Sequence, residues 1–307
     1  MIKTPKRKDV RRADRIFFWS LRVLAGLVIL ALVSMGLFLF DASELAIHKT
    51  GFFSFVLSSD WDPVRDVYGA LPVIYGTFVS SLLSLAIAFP LSVGIALFLN
   101  EIAPANLARV VGFLIEMLAA IPSVIFGLWG IFVLVPWLRV HVQPFFIQKL
   151  GFLPVFQGPA YGVGMFSAGL ILSLMILPTI SSLAREVFAA IPRTQRESAL
   201  ALGATRWEMI KIAVLKSSKG GLFAAMMLGL GRALGETMAV TMVIGNRAQI
   251  VSSLFAPAQT MASVVANEYA EATSDIHLSA LALVGFLLFA VTFITSGLAR
   301  VLIGRVK

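Results

Sequence analysis

The sequence contains no cysteine among its 307 residues, and this absence excludes several kinds of protein at once. Without thiols there is no disulfide framework, no thiolate metal site and no cysteine nucleophile. Charge is also scarce, because Asp, Glu, Lys and Arg make up 13% of the residues against about 25% in an ordinary soluble domain. The hydrophobic share of 59% exceeds what a soluble chain of this length can bury, so the composition indicates an integral membrane protein.

Catalytic signatures are missing as well. The sequence has no P-loop for ATP, no H-E-x-x-H or G-x-S-x-G motif and no G-x-G-x-x-G fingerprint. Its three histidines, His48, His141 and His277, are far apart in the chain and lack metal-ligand spacing. We therefore expect no catalytic residues, no metal site and no cofactor in this chain. If the protein does energised work, the energy must come from a partner protein or an ion gradient.

Long apolar runs predict an all-α membrane protein with six transmembrane helices. Residues 67–100 and 150–184 contain no charged residue, and about 20 apolar residues suffice to cross the hydrocarbon core of a bilayer. The apolar run nearest the N-terminus, residues 16–40, is too long for the core of a signal peptide and is interpreted as an uncleaved helix. Pro90 and Pro122 predict kinks in the second and third spans. The predicted spans lie near 16–40, 72–99, 108–137, 161–184, 220–245 and 278–302.

The basic residues are distributed unevenly, and this predicts the orientation of the chain. Eighteen Lys and Arg residues fall in a basic tail over residues 1–15, the 100–109 turn, the 185–219 loop and the C-terminus, against five in the loops on the other side. Cytoplasmic loops carry the excess of Lys and Arg, so both termini of the single domain over residues 16–307 are expected in the cytoplasm. The net charge of +9 then reflects topology, and nucleic-acid binding is not expected.

The 185–219 loop has the pattern of a docking surface. Pro192 precedes a helix-forming stretch that Gly203 interrupts, and a glycine inside a helical pattern often marks a turn between two short helices. Such a helix–turn–helix suits a partner protein or an anionic lipid surface, and the pattern alone leaves both open.

The same loop resembles a known motif. Glu197-Ser198-Ala199, followed after three residues by Gly203, is similar to the E-A-A-x-x-x-G motif of ATP-binding-cassette (ABC) importer permeases. The resemblance implies that these four residues dock in a cleft of a separate ATPase subunit. Ser198 departs from the family pattern, and residues 213–216 read A-V-L-K where the family often has I-x-L-P.

Two charged residues interrupt the fifth predicted span. Arg232 and Glu236 lie four residues apart, which would place them on one face of a continuous helix. A charge at the centre of a span costs roughly 2.5–3.5 kcal/mol on insertion scales, and a buried ion pair is weak evidence for stability. A polar pathway is therefore the favoured interpretation, and a structural pair that locks two helices is the alternative. Gly231 and Gly235 form a G-x-x-x-G step, which allows another backbone to approach closely.

The segment GRALGETMAVTMVIGN, residues 231–246, closely resembles the fifth span of the PstC-type permease of the phosphate-specific ABC importer. The resemblance extends over essentially the whole chain. It implies a type I ABC permease fold in the bacterial inner membrane and a role for Arg232 and Glu236 in phosphate passage. The implied partners are a homologous PstA-type permease, two PstB-type ATPase subunits and a periplasmic PstS-type phosphate-binding protein, besides the lipid bilayer.

Several alternatives stay open at this stage. Glu116 is a third charge inside a predicted span, and it suits either a secondary role in the pathway or a structural pair. The chain as a whole could also be the paired PstA-type subunit or a permease for another oxyanion such as sulfate or molybdate. An ion-coupled secondary transporter and a membrane scaffold or regulator are the other classes, and a part in phosphate sensing is compatible with the main interpretation.

Overall fold

The computed structural model describes residues 7–305, and within that range it contains helices and no β-strand. Residues 1–6 of the predicted basic tail lie outside the described residues. The longer helices are α1 (Arg7–Ala42), α4 (Leu71–Leu97), α5 (Ala105–Ala119), α9 (Met165–Ala189), α12 (Lys219–Leu234) and α15 (Asp275–Arg305). The shorter ones are α2 (Glu44–Thr50), α3 (Phe52–Leu57), α6 (Ser123–Trp129), α7 (Val135–Trp137), α8 (Gln143–Leu150), α10 (Arg193–Ala201), α11 (Arg206–Met209), α13 (Met238–Val243) and α14 (Met261–Glu268).

Five stretches of the described chain are long and apolar enough to cross a membrane: Phe17–Ala42, Leu71–Ile102, Ser123–Leu150, Met165–Ala189 and Asp275–Leu302. The first, second, fourth and last correspond to predicted spans. The span predicted near 108–137, with a kink at Pro122, is divided into two helices in the structure, because α5 ends at Ala119 and α6 begins at Ser123. Pro122 lies at the break, where it lacks an N–H group and disfavours helical backbone at the preceding residue.

The prediction of one continuous helix over 220–245 is wrong. Helix α12 ends at Leu234 and α13 begins at Met238. Glycine at position 235 has a low helix propensity. The Glu236 carboxylate then accepts a hydrogen bond from the backbone N–H of Ala239 at 3.3 Å, and so satisfies one of the free donors at the start of α13.

The centre of the bundle is formed by α4, α9 and α12, which approach closely at small residues. Ser92 on α4 donates a hydrogen bond to the carbonyl of Leu177 on α9 at 3.1 Å. On α12, a Cβ atom at Gly229 would come within 2.5 Å of Ile180, so only glycine permits this approach. Ile176, Ile180 and Val243 belong to the buried apolar cluster between these helices.

The two ends of the bundle differ. The 185–219 segment lies at one end, which we call the basic end. At the opposite end, a group of aromatic and charged side chains joins the loop before α4 to α14 and α15. The Glu268 carboxylate accepts a hydrogen bond from the Trp61 indole at 2.9 Å and lies 3.0 Å from His277 Nε2. The His277 ring stacks on the buried ring of Tyr68, with 5.3 Å between their centroids.

Candidate functional site

The two short helices that follow the helix breaks lie against each other. Helix α6 packs against α13, and a Cβ atom at Gly127 would come within 3.1 Å of the Cα atom of Ala239. Each of these short helices begins directly after a break. Irregular backbone at membrane depth is tolerated where it is buried in protein or lines a water-filled cavity. The neighbouring breaks therefore mark the part of the bundle where a polar path is permitted.

Arg232 lies beside this region, two residues before the end of α12. It is about 20 Å along the helix axis from Lys219, at 1.5 Å per residue. Its Nη1 atom donates a hydrogen bond to the hydroxyl of Thr179 on α9 at 3.0 Å, and the side chain is otherwise exposed. A guanidinium has five N–H donors, so the single bond to Thr179 leaves most of them available to another partner.

Glu236 is half-buried and takes part in a different contact. Its carboxylate caps the start of α13 through the Ala239 N–H. Among residues 7–305, Arg232 and Glu236 do not form an ion pair. The inference that both side chains share one helix face does not hold, because the helix stops between them. The structure therefore does not form the locking pair that was the alternative interpretation.

The predicted G-x-x-x-G step faces open space in this chain. A Cβ atom at Gly231 would meet nothing within 4 Å, and one at Gly235 would meet only the carbonyl of Gly231 at 3.7 Å. The glycines of this helix that side chains of α9 contact are Gly221 and Gly229. The face of α12 at Gly231 is thus not covered by the described residues.

The loop at the basic end forms two short helices with a sharp turn between them. Gly203 adopts a left-handed φ of +86° at the end of α10. Its N–H group donates to the carbonyl of Leu200 at 3.0 Å, and the N–H of Ala204 donates to the carbonyl of Ala199 at 3.2 Å. This is the Schellman arrangement, in which glycine is favoured because it has no Cβ atom.

A capping box begins α11 directly after this turn. The Glu208 carboxylate accepts hydrogen bonds from the backbone N–H and the hydroxyl of Thr205, each at 2.8 Å. The backbone N–H contributes most, and together these bonds lower the pKa of Glu208. The carboxylate is therefore held in its charged form at the start of α11, where the helix dipole also favours a negative charge.

The tip of this helix–turn–helix exposes both apolar and charged side chains. Leu202 is 90% exposed and Trp207 is 57% exposed. Glu197 and Ser198 are also exposed, whereas Ala199 packs against the apolar cluster beneath the loop. The loop thus has an inner face fixed to the bundle and an outer face free for contacts.

Glu116 belongs to neither group. It pairs with Arg185 on α9 at 3.7 Å, and 63% of its side chain is exposed. Arg185 lies six residues beyond Thr179 on α9, or about 9 Å along the axis, so this pair is nearer the basic end than Arg232 is. Within residues 7–305, no group of three His, Asp or Glu side chains is placed to hold a metal ion.

Two side-chain contacts at these sites were not predicted from the sequence. Thr179 is an ordinary polar residue of an apolar helix, and its contact with Arg232 joins positions 53 residues apart. A buried ion pair between Arg196 of the loop and Glu101 joins positions 95 residues apart. Both contacts depend on how the helices pack, which no local pattern of the sequence reveals.

Comparison with known proteins places the chain among transport permeases. Residues 88–307 match the family model described as "Binding-protein-dependent transport system inner membrane component". Proteins named phosphate transport system permease protein PstC are similar over nearly the whole chain. The relative from Mesorhizobium japonicum is 43% identical and that from Xylella fastidiosa 46% identical, each over 99% of this chain and 95% of the relative. The relative from Haemophilus influenzae is 44% identical over 96% of this chain and 94% of its own length.

Solved structures with the same fold include two ABC transporters. The chain superposes on the inward-facing MetNI methionine ABC transporter with a TM-score of 0.54 and 19% identity, over 78% of this chain and 94% of that one. A bacterial ABC transporter that imports the acidic polysaccharide alginate gives a TM-score of 0.54 and 19% identity, over 95% of this chain and 97% of that one. At this identity the likeness concerns the fold: it is that of an ABC importer permease.

Proposed function

The chain belongs to the family of inner membrane components of binding-protein-dependent transport systems, and we propose that it is the permease subunit of an ATP-driven importer of inorganic phosphate. The observation that carries this proposal is the identity of 43–46% to PstC permeases over at least 96% of the chain. The exposed guanidinium of Arg232 beside two helix breaks supports an anionic substrate. ATP hydrolysis takes place in separate subunits.

Arg232, Glu236 and Thr179 form the station for phosphate within the membrane. A guanidinium binds two oxygens of an oxyanion through parallel hydrogen bonds, and the bond to Thr179 fixes the direction in which it points. Protonated phosphate also carries O–H groups, and the Glu236 carboxylate accepts hydrogen bonds from them. Because Arg232 and Glu236 are not paired with each other, the guanidinium is free to bind an entering anion. Glu116, beside Arg185, has at most a secondary role.

The permease works with other subunits. A homologous PstA-type permease covers the open face of α12 at Gly231, where the described residues offer no neighbour. Two PstB-type ATPases bind the loop at the basic end through Glu197, Ser198 and Ala199, with Gly203 setting the turn. A PstS-type binding protein delivers phosphate to the opposite end. The basic end and both termini face the cytoplasm, and the chain crosses the membrane six times, with broken helices as the third and fifth spans.

The test is transport by the reconstituted complex. The chain is purified with its three kinds of partner, inserted into proteoliposomes with ATP on the ATPase side, and supplied with radiolabelled phosphate and the binding protein. We expect uptake that requires ATP, persists when ionophores collapse ion gradients and is not reduced by excess sulfate or molybdate. Uptake that follows an ion gradient without ATP, or that sulfate abolishes, would refute the proposal.

A further inference from the structure

Arg196, on the inner face of α10, is engaged in the densest polar contact of the loop at the basic end. Its Nη2 atom donates to the Glu101 carboxylate at 2.8 Å and to the carbonyl of Phe188 at 2.8 Å. Its Nη1 atom donates to the carbonyl of Ile191 at 2.6 Å, and Nε lies 3.3 Å from both carboxylate oxygens. All three guanidinium nitrogens are thus used. The side chains of Arg196 and Glu101 are only 17% and 6% exposed.

The partners of Arg196 lie on two different long helices. Glu101 belongs to the π-helical turn Phe98–Ile102, which ends the span that α4 begins. Phe188 lies in the last turn of α9, where carbonyl groups have no partner within the helix, and Ile191 follows directly. One side chain of α10 therefore joins the ends of two spans, and its positive charge lies at the C-terminal end of the α9 dipole.

Directed bonds of this kind determine orientation more than stability. A buried ion pair gains little over a well-packed apolar contact, because both charges lose their hydration. A planar guanidinium with several fixed acceptors, however, holds α10 in one geometry relative to α4 and α9. The Arg185–Glu116 pair nearby has neither property, since it is a single 3.7 Å contact with a largely exposed carboxylate.

Adjacent residues of α10 also point in different directions. Glu197 and Ser198 are exposed on the outer face, and Leu202 at the end of the helix is 90% exposed. Arg196 instead faces the bundle. The outer residues are therefore available to a partner while Arg196 holds the helix to the spans, and the two roles are separable by mutation.

We propose that Arg196 and Glu101 are the positioning pair through which a displacement of α10 reaches α4 and α9. This inference rests on the proposed function, in which α10 receives the ATPase. With the pair intact, α10 and the two helix ends move as one body when the ATPase moves. Without it, the ATPase still binds the outer face and hydrolyses ATP, but the movement is not passed on to the spans.

The test measures coupling rather than transport alone. Glu101→Gln and Arg196→Lys are compared with wild type and with the control Glu186→Gln, at an exposed carboxylate near the same end of α9, in the reconstituted complex at matched abundance. We expect the phosphate imported per ATP hydrolysed to fall by roughly tenfold or more in the first two variants and to stay unchanged in the control. The ATPase should co-purify normally with all of them. A wild-type ratio in Glu101→Gln and Arg196→Lys, or loss of the ATPase from them, would overturn the proposal.

A second measurement remains informative if a variant inserts poorly. Spin labels are placed on cysteines at Leu202, beyond the end of α10, and at Leu91, on the exposed side of α4, in the otherwise cysteine-free chain. The distribution of distances between the labels should stay narrow with and without ATP when the pair is intact. It should broaden in Glu101→Gln. An unchanged narrow distribution in Glu101→Gln would overturn the proposal. Failure of the wild-type complex to import phosphate would instead count against the proposed function.

Discussion

The guanidinium of Arg232 donates a hydrogen bond to the hydroxyl of Thr179 at 3.0 Å, and so contacts a neutral partner on α9 instead of Glu236 in its own span. Glu236 is engaged at the start of α13. The break in the helix thus separates two charges that a continuous helix would have brought together. Because the two side chains have different partners, substitutions of each should have different consequences.

Glu236 is predicted to have two roles. Glutamine can replace it as the cap of α13, but not as the carboxylate that binds phosphate. In Glu236→Gln the amide oxygen still accepts the Ala239 N–H, so the thermal unfolding midpoint of the purified protein should stay close to that of wild type. Glu236→Ala removes the cap, which costs about 1 kcal/mol, and should lower the midpoint. Phosphate uptake should fall in both variants. Normal uptake by Glu236→Gln would exclude the carboxylate from the pathway.

Gly203 is predicted to be essential for the shape of the docking loop. An alanine there would keep the left-handed φ of +86° at a cost of roughly 1–2 kcal/mol or lose the turn. We expect roughly five- to thirtyfold weaker binding of the ATPase by Gly203→Ala, measured by co-purification over a range of ATPase concentrations. Gly94→Ala is the matched control, since Gly94 is helical and a Cβ atom there meets nothing within 4 Å. Equal binding by both variants would argue against a docking role for the turn.

The orientation of the chain can be tested with two exposed positions. Val64 is 94% exposed at the end opposite the basic end, and Leu202 is 90% exposed at the basic end. In intact cells an impermeant thiol reagent should label Val64→Cys and not Leu202→Cys. After permeabilisation it should label both. Labelling of Leu202→Cys in intact cells would contradict cytoplasmic termini and the ATPase-binding role of the loop.

The Tyr68 hydroxyl is predicted to make stability depend on alkaline pH. Burial, together with the hydrogen bond to Asp66 at 3.2 Å, raises the pKa of Tyr68 from 10.0 to about 12. The folded state therefore keeps the proton longer than the unfolded state, so the stabilising contribution is complete below pH 10 and is lost between pH 10 and about 12. The phenolate absorbance difference between wild type and Tyr68→Phe should titrate near pH 12. A midpoint near pH 10 would show that the hydroxyl is not protected.

Much of the helical framework could be predicted from the sequence, because long apolar runs without charges have few alternatives in a membrane. The helix breaks could not. A hydropathy value is an average over a window of residues, so it does not reveal a change of backbone conformation that is confined to three residues. Nor does proline alone decide, since Pro90 lies inside the continuous helix α4 while Pro122 immediately precedes a new helix. The difference depends on packing, because α4 is held along its length by α9, whereas Ala120 and Pro122 are exposed.

The site was only partly predictable for a related reason. Arg232 and Gly203 stand out locally, one as a charge in an apolar run and the other as a glycine between helix-forming stretches. Their roles in phosphate passage and ATPase docking stay predictions, as do the six spans and the orientation. Thr179 and Glu101 carry no local signal, because each becomes significant only through a side chain distant in the sequence.

The most direct test of the account is phosphate uptake by Arg232→Gln and Thr179→Val in the reconstituted complex at matched abundance. Loss of the guanidinium removes hydrogen bonds from a charged donor to the anion, worth about 1.5–3 kcal/mol, so uptake by Arg232→Gln should fall by roughly 10- to 150-fold. Thr179→Val removes only the bond that orients Arg232, and uptake should fall by about fivefold or less. The ATPase should co-purify with both. Near-normal uptake by Arg232→Gln would contradict the claim that this residue receives the anion.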